Sequence, residues 1–329
     1  MESAGLPLIG FIGAMALAAG PAAAQAPLEL EATIEMPGVK GRIDHFAADV
    51  KGHRLFVAAL GNNTVEVLDT AGNKHARSLT GFGEPQGIAY LPEPKLLYVA
   101  NGSADRVDVL DGESLAMVKR IPSLADADNV RYDGAAHVVI VGYGKGALRL
   151  LRAKDGEAAG EIRLAGHPES FQLEANGARA FVNVPSAQQV AVVDRTKRTV
   201  LATWPVPARA NFPMALDENA KRLFVGARKP AELLIYDTES GRMVAKLPIG
   251  GDTDDIYYDA AHARLYVICG EGRVDVFRRE SADRYVHETA IKTAPRARTG
   301  YFVPEDGKLY VAAPANGSSP ARVFVYQVK

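Results

Sequence analysis

A β-rich stretch, residues 55–69 (LFVAALGNNTVEVLD), recurs along the chain with a period in the low forties, and that period restricts the available folds more than any other feature. Aligning the copies on one aromatic or aliphatic residue brings Phe56, Tyr98, Ile140, Phe181, Phe224, Tyr266 and Tyr310 into register, with steps of 42, 42, 41, 43, 42 and 44 residues. A repeat of this length, made of several short apolar runs, cannot cover both faces of its own sheet, so the copies must bury one another. Small antiparallel sheets stacked around an axis form a propeller, and seven copies predict an all-β, seven-bladed β-propeller with four-stranded antiparallel blades. The repeat, rather than the length of 329 residues, decides the domain count: one domain over residues 25–329.

Each repeat divides into four candidate strands, A to D from the axis outward. In the second repeat they are residues 87–91 (GIAYL), 96–100 (LLYVA), 106–111 (RVDVLD) and 116–121 (AMVKRI), separated by Gly, Asn, Asp, Pro and Ser as turn chemistry requires. Strand B is apolar almost throughout, as in residues 265–268 (LYVI), which fits a strand covered on both faces by neighbouring blades. The seventh repeat ends at strand C, residues 323–329, whereas an unassigned β-like run, residues 28–36 (LELEATIEM), precedes the first strand A. An open sheet edge leaves backbone groups unpaired, so the N-terminal run is predicted to complete the last blade: three C-terminal strands plus one N-terminal strand.

Residues 1–24 stand apart. An apolar core at residues 6–20 is short for a membrane span and ends near three alanines at 22–24, the pattern of a secretory signal peptide cut after Ala24, although Glu2 and the absence of Lys or Arg are unusual for the first residues of one. A periplasmic or secreted protein without a transmembrane anchor after cleavage is expected. Lys and Arg number 38 against 39 Asp and Glu, with no basic run, which argues against nucleic acid as a partner. The single cysteine, Cys269, excludes an internal disulfide, and the lack of C-x-x-C-H excludes covalent haem. A monomer is expected.

Residues 98–101 (YVAN) followed by RVDVLD resemble the YVTN repeat, and the chain as a whole resembles the YncE-like family of exported seven-bladed propellers; Ile140 and residues 181–184 depart from the motif while keeping the period. The resemblance implies a periplasmic binding or accessory protein, with metal-dependent lactonases and subunits of redox complexes among related propellers. It carries no catalytic residue set.

Seven internal copies allow scaffold to be separated from site. A residue that recurs at one register serves the blade. Asp49, Asp133, Glu174, Asp217 and Asp259 recur at the A-to-B turn, and Asp69, Asp111, Asp194 and Asp237 at the end of strand C, where carboxylates accept from turn N–H groups. The segments entering strand A, in contrast, keep their polarity while changing identity. Such loops surround the mouth of a propeller's central channel, so they are predicted to converge. Two residues before each strand A reference position the ring reads Asp44, Gln86, Asp128, Glu169, Phe212, Asp254 and Thr299, with Asp126, Asp252 and Asp255 beside it. Converging carboxylates repel, and compensation is available from Arg42, Arg209, Arg296, Arg298, His45 and His167, or from a bound cation.

Three readings remain open here: structural ion pairing, small-ligand binding that also engages Asn129 and Asn211, and a divalent metal site with candidates Asp44, His45, Asp128, Glu169 and Asp254. The first function expected is a non-catalytic binding or scaffold protein that takes a small molecule or partner protein at this mouth. The alternative is a metal-dependent lactonase with Glu169 or Asp254 as general base. A third is an accessory subunit of a periplasmic redox complex. Cys269 is expected to be inert, since nothing adjacent in sequence would lower its pKa. The glycine-rich residues 142–146 are read as a turn.

Overall fold

The four candidate strands of each repeat form, and each set hydrogen-bonds into its own antiparallel sheet, giving seven four-stranded sheets. The computed structural model describes residues 1, 2, 5 and 26–329, so the expected signal peptide and its cleavage site fall, those three residues apart, outside the described residues. In blade 2 the strands span Pro85–Leu91, Leu96–Asn101, Arg106–Asp111 and Met117–Pro122, within two residues of expectation at each end. Among the described residues no helix is long and apolar enough to cross a membrane.

Closure follows the predicted scheme. Leu28–Met36 pairs antiparallel with Ala321–Val328, from Leu28 opposite Val328 to Met36 opposite Ala321, and so forms the outer strand of blade 7. The backbone N–H of Lys329 donates to Pro27 O at 3.1 Å, which brings the two ends of the described fold together.

Stacking of the sheets explains the apolar B strands. Phe56, Tyr98, Phe181, Phe224, Tyr266 and Tyr310 are fully buried, each between its own blade and the next. A buried tyrosine usually finds a hydrogen-bond partner, and in this layer Tyr266 donates to Asp259 at 2.8 Å while the Tyr310 hydroxyl has none among the described residues. Tyr98 finds Ala153 O, in the adjacent blade, at 2.9 Å.

The recurrent carboxylates behave as scaffold. Asp49 accepts from Gly52 N, Asp133 from Ala136 N and Asp217 from Ala220 N, at 3.0–3.1 Å. Several also tie blades together: Asp133 pairs with Arg195 of blade 4, and Asp217 with Arg279 of blade 6 at 2.5 Å. Asp111 and Asp237 accept from the turns that follow strand C. Trp204 packs between Phe181 and Tyr236 on an outer strand. Residues 144–146 form the B-to-C turn of blade 3.

Candidate functional site

Strand pairing fixes which residues of different blades are equivalent. Ala47, Ala89, Arg131, Gln172, Ala215, Tyr257 and Tyr301 each lie opposite the reference residue of strand B. Three residues earlier the mouth ring is therefore Asp44, Gln86, Asp128, Glu169, Phe212, Asp254 and Arg298. Blade 7 differs by one residue from the sequence alignment, because Tyr301 rather than Phe302 faces Tyr310. Arg298 thus takes the ring position assigned to Thr299, whose hydroxyl donates to Ile43 O at 3.3 Å.

The entry segments converge as expected. His45 of blade 1 has Nδ1 3.3 Å from Asp255 of blade 6 and Nε2 3.4 Å from the Asn129 amide of blade 3. The loop carrying Arg42 is pinned by backbone contact: Gly61 N donates to Arg42 O at 2.9 Å, and a Cβ on Gly41, whose φ is +74°, would come within 2.8 Å of Gly61 Cα. Gly87 keeps the neighbouring position open, since a Cβ there would lie 2.2 Å from Asp128 O.

Charge compensation divides the ring in two. On the side of blades 5, 6, 7 and 1, arginines answer the carboxylates. Arg228 lies 2.7 Å from Asp254 and 3.3 Å from Asp252, Arg298 lies 3.0 Å from each, and Arg42 lies 3.1 Å from Asp44 and 3.7 Å from Asp254. On the side of blades 3 and 4 stand Asp128 and Glu169, with His167 as the near cation. Arg228, which also stacks 4.3 Å over Phe212, was not among the sequence candidates. The register test would have found it at the end of strand B, Arg222–Lys229, where its equivalents in the other blades are Leu60, Gly102, Gly144, Pro185, Gly270 and Pro314.

Burial sets the protonation states. Glu169 is pushed up to about 8 by burial and by the charge of Asp128. Burial opposes the charged form of His167, but Asp128 and the carbonyl of Gly144 outweigh it and hold the imidazole at about 9. His45 is likewise raised to about 10, as Asp255 and Asp44 overcome its burial. Asp128 stays below the usual range despite burial, because His167, His45 and Arg42 favour its anion. Asp44 is raised by burial, reinforced by Asp128 and Asp255.

Several acceptors here lack donors. Both carboxylate oxygens of Asp44, Oδ2 of Asp254 and Oδ1 of Asn129 are buried without a hydrogen bond; Arg42 stands at ion-pair distance from Asp44 but out of hydrogen-bond alignment. Asp44 and Asn129 are each only 1% exposed. An unmet buried acceptor is costly, and an added donor or cation would relieve it.

One cluster has metal-ligand geometry. Asp128, His167 and Glu169 each offer an atom within 4.8 Å of the others. His167 Nδ1 lies 2.6 Å from Gly144 O, so Nδ1–H donates to that carbonyl and Nε2 is directed at Asp128 Oδ2, 3.6 Å away. A backbone carbonyl orienting an imidazole in this way is the outer-shell arrangement seen behind ligating histidines. Of the metal candidates from sequence, Asp128 and Glu169 meet in this cluster. Asp44 and Asp254 lie against arginines, and His45 lies between Asp44 and Asp255.

The remaining candidates are peripheral or structural. Arg209 and Arg296 are exposed, and Gln86 is half-buried with its amide on Ala127 O at 3.4 Å. Asn211 is buried between blades, donating to Asn183 Oδ1 at 3.0 Å. Cys269 is also buried, and burial beside Asp275 pushes its thiol far up.

No family model matches the chain, and no curated protein matches it by sequence. Solved structures match it by shape. A chain from the crystal structure of a mitotic checkpoint complex superposes with a TM-score of 0.79 at 13% identity, over 98% of this chain and 99% of that one. A chain of Kuenenia stuttgartiensis hydrazine synthase superposes with a TM-score of 0.76 at 16% identity, over 89% of this chain and 99% of that one. At such identities the likeness is one of fold alone, the β-propeller.

Proposed function

We propose that this chain is an exported binding protein of the YncE-like kind, a seven-bladed disc that captures a small ligand at its channel mouth through a cation seated on Asp128, His167 and Glu169. The observation carrying this reading is the asymmetry of the ring. Where structural pairing is the purpose, arginines supply the charge, as at Asp252 and Asp254. Asp128 and Glu169 are left with a histidine whose Nε2 is turned towards them. Two carboxylates and an imidazole suit a divalent ion with open positions for a ligand. That the first neighbour belongs to a multiprotein complex is compatible with a protein partner for this disc as well.

The same cluster favours a second reading, a metal-dependent lactonase. A bound ion would supply Lewis-acid polarisation of a carbonyl, with Glu169 beside it to move a proton. Asp254 is raised by burial, but its carboxylate is ion-paired with Arg228, Arg298 and Arg42 and stands outside the cluster, so it is the less available base.

Metal content of the purified protein and its melting temperature with and without chelator test both readings. We expect about one divalent ion per chain, a fall in melting temperature on chelation, and loss of both in His167→Ala and Glu169→Gln. Absence of metal, with no response to Zn²⁺, Mn²⁺ or Ca²⁺, refutes the cation seat. Hydrolysis of a lactone panel by the loaded protein would favour the enzyme over the binding protein.

A further inference from the structure

Below the mouth the axis opens into a cavity of about 440 Å³, lined by A strands of six blades. Its wall at the level of strand pairing is Ala47, Ala89, Arg131, Gln172, Tyr257 and Tyr301, while Ala215, the blade 5 member of the same layer, lies outside it. Two alanines leave space, and the other four positions carry polar side chains. This division is not required by the scaffold, because a propeller axis can be filled with apolar side chains.

Arg131 is the centre of the layer. It donates to the carbonyl of Val130 at 2.9 Å and weakly to Ser170 Oγ at 3.4 Å, and it packs 5.5 Å over the ring of Phe171. Among the described residues no carboxylate lies at ion-pair distance from it, in contrast to Arg42, Arg228 and Arg298 just above. Asp255, the acid that also lines the cavity, is engaged by His45 at 3.3 Å and by Gly300 N at 2.9 Å. Arg131 acts electrostatically on both Tyr257 and Tyr301 from across the axis, opposing the upward push of burial on the two phenols. Tyr257 spends its hydroxyl proton on Gly300 O at 2.7 Å, and Tyr301, its ring edge-on to Tyr257, lines the same cavity.

We infer that the axial cavity is an oxyanion subsite, in which the Arg131 guanidinium and the Tyr301 hydroxyl take the carboxylate or phosphate end of a small ligand. A guanidinium with free N–H groups in a partly dried channel binds such groups strongly. Arg131 follows Asp128 by three residues, just inside the strand Val130–Asp133, so the two are at most about 10 Å apart along the chain. The subsite and the cation seat are therefore spaced for the two ends of one small molecule. In that respect the inference rests on the reading of the mouth, but the anion subsite stands on residues of its own.

The test uses the protein in the presence of chelator, so that no metal at the mouth can hold an anion. Acetate and inorganic phosphate are titrated separately, with melting temperature and the Arg131 side-chain NMR signal as readouts. We expect saturable binding of at least one ion, weakened about tenfold or more in Arg131→Gln and several-fold in Tyr301→Phe, and unchanged in Arg163→Gln, an exposed arginine on the outer strand of blade 3. Preference for one ion identifies the headgroup. Tyr301→Phe keeps the ring and its packing, so it reports even where Arg131→Gln folds poorly. Absence of saturable binding of either ion, or equal binding by wild type and both cavity variants, overturns the subsite. Anion binding that survives in a protein without a metal site leaves this inference standing and removes only the cation seat.

Discussion

At the scale of single residues, His45 shows how a mouth position can be structural and pH-sensitive at once. Its imidazolium lies between Asp255 at 3.3 Å and Asp44 at 3.6 Å, and its pKa rises from 6.5 to about 10 in the fold. A raised folded pKa stabilises the protein fully below the unfolded value of 6.5, and this contribution is lost as pH rises through about 10. We expect His45→Gln to cost on the order of 2 kcal/mol at pH 6 and little above pH 10, measured by urea unfolding at both pH values. An equal cost at both would mean that packing rather than charge makes His45 valuable. Asp44, Asp128 and Glu169 were legible in sequence because they break the pattern of their own repeats. Arg228 was not singled out, because it sits at the end of strand B, Arg222–Lys229, and only the folded ring brings that end against the entry loop of the next blade. The grouping of Asp128 with His167 depends on Gly144 O, a backbone atom of a turn that reads from sequence as mere connection.

At the scale of elements, the strand Leu28–Met36 was readable because a four-strand repeat left one strand short at the C-terminus and one over at the N-terminus. Apart from the exposed Leu30 its outward residues are polar or small, whereas Leu28, Ile34 and Met36 are buried, so it has one face for the core and one for solvent. Removing residues 26–36 would bare the edge of Ala321–Val328 along its whole length, with its N–H and C=O groups free to pair with another chain. We expect the truncated protein to melt at least about 10 °C lower and to self-associate, as judged by calorimetry and light scattering. A peptide of residues 26–37 added in trans should recover part of the melting temperature by strand addition. Unchanged melting on truncation would show that blade 7 stands as three strands. The one-residue offset in blade 7 was hidden at this scale, since Tyr301 and Phe302 fit the apolar pattern equally well until the pairing of Tyr301 with Tyr310 decides between them.

At the scale of the whole molecule, the ring is held by one sheet that contains both ends of the described fold. The blade count follows from the period, and the ring then brings entry loops far apart in sequence to one mouth, so architecture could be read where chemistry could not: spacing along the chain encodes the blades but not which side chains face each other across the axis. Closure by a shared sheet has a mechanical consequence. Separating blade 7 from blade 1 requires breaking strand pairing, not only the packing between two faces, because the chain before blade 1 is itself hydrogen-bonded into blade 7. The benefit should not depend on which blade is shared. With residues 329 and 26 joined by a short linker, new ends placed at residues 281–284, the exposed C-to-D turn of blade 6, recreate the same three-plus-one closure there. New ends between Thr80 and Gly81, in the connection from blade 1 to blade 2, leave every sheet made of contiguous chain and the ring closed by packing alone. We expect the first permutant to melt within a few degrees of the parent and the second about 5–10 °C lower, with faster unfolding in denaturant. Equal melting of the two would show that packing between blades suffices to close the ring, and that the N-terminal strand serves to cover an edge rather than to lock the disc.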